Sequence, residues 1–141
     1  MNRCDEITFA ALTAWREARG AKSDECIAGV VHSILNRVRR PSWWGRDILS
    51  VVFKKWQYSS LTDPRDPQLT TWPKRDEPSW ERCLRITQGV LDGSIDNPVP
   101  GADSYHDTSI KPPYWATPDK FTRQIDRILF YDLDQDYEKD G

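Results

Sequence analysis

The stretch SDECIAGVVHSILNRVRR, from Ser23 to Arg40, leaves this chain the least freedom. At about 100° per residue, Ile27, Val30, Val31, Ile34, Leu35 and Val38 fall on one stripe of a helix. Ser23 is placed to cap it, and Asp24 and Glu25 occupy the first turn, where the helix dipole favours negative charge. Arg39 and Arg40 sit in the last turn, and Pro41 stops the helix. Such an element belongs to a core. On its other face His32 and Asn36 are four residues apart and can neighbour each other.

The remaining segments arrange themselves around that helix. A first helix is expected over residues 5–19, with Ile7, Ala10, Ala11, Ala14, Trp15 and Ala18 on one arc. Glu17 falls at the edge of this arc, Arg16 points nearly the opposite way, and Gly20 suits the C′ position. A short helix over 47–53 turns Ile48, Val51 and Val52 inward, and another over 78–91 ends at Gly93. Two long excursions, KKWQYSSLTDPRDPQLTTWP and SIDNPVPGADSYHDTSIKPPYWATP, are rich in Pro, polar and aromatic residues. Long irregular loops in a compact domain are usually functional or disordered, and the aromatic content favours function. A short strand is expected at 104–106. A hairpin turning near Asp126 and Arg127 is expected from FTRQIDRILFYDLD. The last residues, about 134–141, read as a frayed tail. The 141 residues suit one domain, mainly helical α+β, with a small sheet and a groove built from loops.

Several chemistries lack their parts. With a net charge of −2 the chain has no basic excess for nucleic acid. No window approaches the ~20 apolar residues of a membrane span. The two histidines, His32 and His106, form no metal-ligand spacing, and no HExxH, EF-hand, Walker or dinucleotide motif is present, so no metal and no cofactor are expected. Cys4, Cys26 and Cys83 are widely spaced and read as reduced thiols. A cysteine–histidine pair using Cys26 or Cys83 with His106 is compatible with spacing alone. Both thiols, however, lie on apolar stripes.

Glu17 is the acid that stands out. It sits in the last turn of its helix, where the macrodipole disfavours a negative charge, and on the border of an apolar arc. Both features raise a carboxyl pKa above the ~4.3 of a free glutamate. A partly buried acid in an aromatic groove suits glycoside cleavage, because it can protonate a leaving oxygen. Two readings of Glu17 stay open on these residues: that acid, or a helix-end charge paired with Arg16 or Arg19. The seven tryptophans are likewise either core residues or platforms for sugar rings.

Segment order adds a resemblance. AWREARG, CIAGVVHSILNRV, DILSVVFKKWQYS, ADSYHDTSIKPPYWA and QIDRILFY follow one another from Trp15 to Tyr131. They resemble, in the same order, the YGEARGE, NRV, VVF…QFS, ATHYH…PPWA and IG.H.FY segments of the SleB/CwlJ-type cell-wall hydrolases. That family includes spore cortex-lytic enzymes and phage proteins. The resemblance implies a lysozyme-like or transglycosylase-like domain that cuts peptidoglycan between N-acetylmuramic acid and N-acetylglucosamine. It implies Glu17 as the catalytic acid. It implies Gln57, Ser59, Tyr105 and His106 as substrate contacts, with hydrogen bonding inside the fold as the rival role for His106. Trp115 is the platform that the motif assigns, while Trp43, Trp44, Trp56 and Trp72 are further aromatic residues of the loops. Asn36 and Arg37 are expected to brace the helix end. The chain departs from the pattern at Arg16 and Asp126, where the family has glycine. It departs also at Ala21, where the family has an acid, at Ser104, where it has the first histidine of THYH, and at Tyr58 in QFS.

No family match singles out a second acid among the loop residues Asp63, Asp66 and Asp107, which favours lytic transglycosylase over hydrolytic muramidase chemistry. A non-catalytic glycan-binding module is the reading from another class. The expected partner is the peptidoglycan glycan strand, and the expected state is a monomer. The N-terminus MNRCDEITFAALTAW is no secretory signal, since acids arrive at Asp5 and Glu6. The expectation is synthesis in the cytoplasm and action on the wall after release. A holin would provide that release for a phage endolysin. The alternative is a bacterial member lacking its targeting region.

Overall fold

Helix α1 spans Arg3–Ala18 and begins two residues earlier than the apolar arc predicts. The reason is Asn2, whose side chain accepts the Cys4 N–H at 2.7 Å and caps the helix. The computed structural model describes residues 2–40, 44–54 and 57–133. Helix α2, Asp24–Arg39, has its predicted bounds, with the Ser23 hydroxyl accepting the Cys26 N–H. Helix α3, Ile48–Val52, is short but closed by a reciprocal capping box between Asp47 and Ser50. A one-turn helix α4, Ser59–Thr62, lies in the first long excursion and was not expected there. Helix α5 covers Pro78–Leu91 as expected, and Gly93 follows it with φ 84°.

Helix α1 packs on α2, α3 and α5, and α2 packs on α3 and α5. Ala10, Ala14 and Trp15 of α1 meet Ile27, Val30, Val31 and Ile34 of α2 in one core with Val51, Val52, Cys83 and Ile86. The Trp15 indole N–H is shared between Glu77 and Ser79, tying α1 to the start of α5.

Strands β1 (Ser104–Asp107), β2 (Phe121–Ile125) and β3 (Ile128–Tyr131) form an antiparallel sheet in the order β1-β3-β2. Tyr105 faces Phe130 in the β1–β3 register. The hairpin turns at Asp126 and Arg127 as the sequence predicts, with Ile125 opposite Ile128. The sheet closes against α2 where Gly29 leaves room, since a Cβ there would stand 2.9 Å from the Phe130 ring. The observed class is the mainly helical α+β domain read from the sequence. No helix among the described residues is long and apolar enough to cross a membrane.

Two local expectations fail. Gly20 does not adopt the left-handed cap conformation: the C-cap is Arg19 with φ −61°, and the positive-φ glycines are Gly45, Gly93 and Gly101. Arg16 does not point to solvent. Its helix face is covered by the first long excursion, and its guanidinium is buried there, donating to the Ser60 and Thr71 carbonyls at 3.0 and 3.2 Å.

Candidate active site

Glu17 comes to the end of α1 half-buried, with its neighbours on the helix turned away from it. Arg16 lies under the loop against Trp72, and Arg19 stacks on Trp15, its guanidinium 4.2 Å above the ring. The pairing of Glu17 with either arginine is therefore not what the fold makes. Glu17 instead meets the sheet: the Tyr105 hydroxyl donates to its Oε1 at 2.7 Å.

The polar face of α2 sets Tyr105 in place. His32 binds the Ile95 carbonyl at 3.0 Å, and Asn36 donates to the Val99 and Ala102 carbonyls. Arg37 donates to the Asp103 carbonyl at 2.6 Å. These bonds pin the Pro-rich segment that leads into β1, so the helix fixes the strand that carries Tyr105. His32 and Asn36 share one helix face, as predicted, but each serves the loop rather than the other.

The carboxyl of Glu17 is held above the usual carboxylate range. Burial is the main cause, and the charge of Asp66 adds to it. Hydrogen bonding from Tyr105, the adjacent Ser60 hydroxyl and the Arg37 charge act in the opposite direction and do not overcome burial. The Ser60 hydroxyl is fully buried but makes no hydrogen bond of good geometry. Burial likewise holds the Tyr105 phenol well above its ordinary range, so it remains a donor to Glu17.

A cleft of about 390 Å³ opens at this point, with Glu17, Arg37, Gln57, Tyr105, Tyr114 and Trp115 among its lining residues. The structure thus brings together four of the residues read from the sequence: Glu17, Gln57, Tyr105 and Trp115. Gln57 Oε1 accepts from Arg37 at 3.3 Å. Arg37 also lies 4.0 Å over the Trp44 ring, so it does more than brace the helix end. Tyr114, 95 % exposed, stands free at the rim.

Two of the expected contacts lie elsewhere. Ser59 donates to Asp66 at 2.6 Å and does not line the cleft; its neighbour Ser60 is the serine beside Glu17. His106 is buried, bonded through Nδ1 to the Asp107 carbonyl and through Nε2 to the Tyr131 hydroxyl. That is its rival role inside the fold. Trp72 stacks on Arg16, while Trp43 and Trp56 lie outside the described residues. The cysteine–histidine pair also fails. Burial pushes the Cys26 thiol up to about 12 and the Cys83 thiol to about 11, and the His106 ring is already engaged. Among the described residues no group of His, Cys, Asp or Glu is placed to hold a metal ion.

Sequence comparison bears on this cleft directly. The family model described as Cell Wall Hydrolase matches residues 21–131. The chain belongs to the Cell Wall Hydrolase family. It is the SleB/CwlJ-type family that the segment order resembles, and this cell-wall hydrolase is accordingly an enzyme that acts on peptidoglycan. The match begins at Ala21, after Glu17, so the case for Glu17 rests on the geometry of the cleft. No curated protein and no solved structure matches the chain.

Proposed function

We propose that this cell-wall hydrolase cleaves the bond between N-acetylmuramic acid and N-acetylglucosamine as a lytic transglycosylase, with Glu17 as acid and then base. The observation that carries the proposal is Glu17 itself, its carboxyl pKa raised by burial at the edge of an aromatic cleft in which it is the only acid among the described lining residues. Retaining hydrolysis would need a second carboxylate ~5–5.5 Å away, and inverting hydrolysis one farther off to seat a water. The other acids around the site have partners. Asp66 accepts from Ser59 and Gln68, and Asp63 from Arg65. Asp107 accepts from Ser109 and Arg127.

In the first step the Glu17 proton passes to the glycosidic oxygen, and the bond from muramic C1 to that oxygen breaks. The N-acetyl carbonyl of the same sugar stabilises the positive charge at C1. Glu17 is now a carboxylate, and the Tyr105 hydroxyl and Arg37 favour that form. In the second step Glu17 takes the proton of the C6 hydroxyl as O6 closes on C1. The product is a 1,6-anhydro muramic end, and the acid is restored. Tyr114 and Trp115 offer flat apolar faces for the sugars, and Gln57 offers an amide.

Mass spectrometry of muropeptides released from purified walls tests this. Anhydro muramic ends are expected, and Glu17→Gln should release no product. Reducing muramic ends would make the enzyme a hydrolytic muramidase, and reducing glucosamine ends a glucosaminidase. Release by Glu17→Gln at the parent rate would reject Glu17 as the acid.

A further inference from the structure

A second cleft, about 300 Å³, meets the first at Glu17 and runs along the end of α1 to the β2–β3 turn. Its character differs. The aromatic cleft presents Trp44, Tyr58, Tyr105, Tyr114 and Trp115, whereas the second has no aromatic ring among its lining residues. It has a floor of Ala18, Gly20 and Ala21 and a charged wall of Lys22, Asp107, Asp126 and Arg127.

The acids of that wall are engaged within the protein. Asp126 accepts the Ser23 N–H and hydroxyl, both at 2.9 Å. Asp107 accepts the Ser109 N–H at 2.8 Å and Arg127 at 3.2 Å. Lys22 is exposed and has no ion pair within 4 Å among the described residues. The wall is balanced in charge: Arg127 is held by Asp107, and the carboxylate of Asp126, whose close partners are neutral, also acts on Lys22. Lys22 is the wall cation without a close ion pair, and Gly20 leaves room beside it for a ligand. The Gly20 backbone needs no glycine, and a Cβ there would meet nothing within 4 Å, so its missing side chain leaves open space in the cleft.

We infer that this second cleft receives the stem peptide of the substrate, with Lys22 taking a peptide carboxylate. This rests on the reading of Glu17 as the glycan-cutting acid. Peptidoglycan carries its peptide on the lactyl group of muramic acid, next to the bond that is cut. A glycan lying on the aromatic cleft with its scissile bond at Glu17 must send that peptide away from the sugar track. The charged cleft is the space adjoining the same carboxyl.

The test compares intact peptidoglycan with glycan strands stripped of peptide by an amidase. Three proteins are assayed: the parent, Lys22→Glu and Gly20→Leu. Both substitutions are at positions with open space, so folding should survive, which circular dichroism checks. On intact wall, Lys22→Glu should raise KM about fivefold, the scale of one solvent-exposed ion pair. The effect should shrink at high salt. Gly20→Leu should raise KM on the same substrate by filling the cleft. On stripped strands both variants should match the parent. Equal losses on both substrates would place this cleft on the glycan track and overturn the inference, as would no loss on either. In both cases parental cutting of stripped strands leaves the role of Glu17 standing. A parent that cuts neither substrate would reject both readings.

Discussion

Replacing Glu17 by glutamine should stabilise the fold while it removes turnover, and the gain should depend on pH in one direction. Folding raises the pKa of Glu17, chiefly by burial. In the unfolded chain the group titrates near ~4.3. Between that value and its higher folded-state pKa, the folded protein holds a proton that the unfolded chain has released. Wild-type stability therefore falls as pH rises through this window and levels off above the folded-state pKa. Each unit of separation is worth about 1.4 kcal/mol. Tyr105, Ser60 and Arg37 favour the charged form and offset part of the burial penalty. The net effect is the surplus of the burial penalty over those offsets, and its sign is that of burial. Glutamine keeps the shape, cannot ionise, and still offers an oxygen to the Tyr105 hydroxyl, now 2.7 Å from Oε1. For a domain of this size ~1 kcal/mol moves Tm by roughly 3–4 °C. Calorimetry of both proteins from pH 4 to pH 8 reads the difference in Tm. It should be small at the acid end and grow in favour of Glu17→Gln towards neutrality. A difference flat with pH, or one that shrinks as pH rises, would refute a Glu17 whose pKa is raised by burial.

Tyr105→Phe removes a donor to the carboxylate, a bond worth about 1.5–3 kcal/mol to a charged group. The pKa of Glu17 should rise further, so the alkaline limb of the pH–rate profile should move to higher pH even as the rate falls; a limb that moves down contradicts the Tyr105–Glu17 contact. Asp126 has φ 51° and binds Ser23 through its carboxylate. Tm should therefore fall in the order Asn, Gly, Ala at this position, because glycine keeps only the backbone geometry and alanine keeps neither. Gly29→Ala gains about 1 kcal/mol of helix propensity. Its Cβ would press 2.9 Å from the Phe130 ring, and overpacking of this kind costs about 1–3 kcal/mol. Urea denaturation should show a net loss, and a net gain would mean that Phe130 yields freely.

Much of this was legible because separate signals agreed. In α2 the apolar stripe, the Ser23 cap and the terminal charges all give the same bounds. The hairpin was legible from β-type residues flanking a two-residue turn. The site was legible only where position along an element determines direction. Successive residues of a strand point to opposite faces, so Tyr105 and His106 could not both enter one cleft. Their alternation already made the two roles exclusive, and the structure gives the cleft to Tyr105. The serines had no such guide. Ser59 and Ser60 are adjacent, and only the phase of the unexpected one-turn helix α4 decides which one meets Glu17.

Arg16 and Asp126 show why departures from a family pattern need the fold to be understood. Both replace glycines of the pattern. A helical wheel turns Arg16 away from its own core but is silent about what covers the far side. There the guanidinium binds the Ser60 and Thr71 carbonyls and so ties the first long excursion to the turn that carries Glu17. The substitution that seemed to add charge beside the acid instead spends that charge on the loop holding Ser60. At Asp126 the left-handed backbone that suits glycine is kept, since a short polar side chain tolerates it. The added carboxylate fastens the hairpin turn to the start of α2 through Ser23. One change secures the loop on one side of Glu17, and the other secures the turn at the far end of the adjoining cleft. Both take mobility out of the frame around a carboxyl that must hold its place between a sugar oxygen and the Tyr105 hydroxyl.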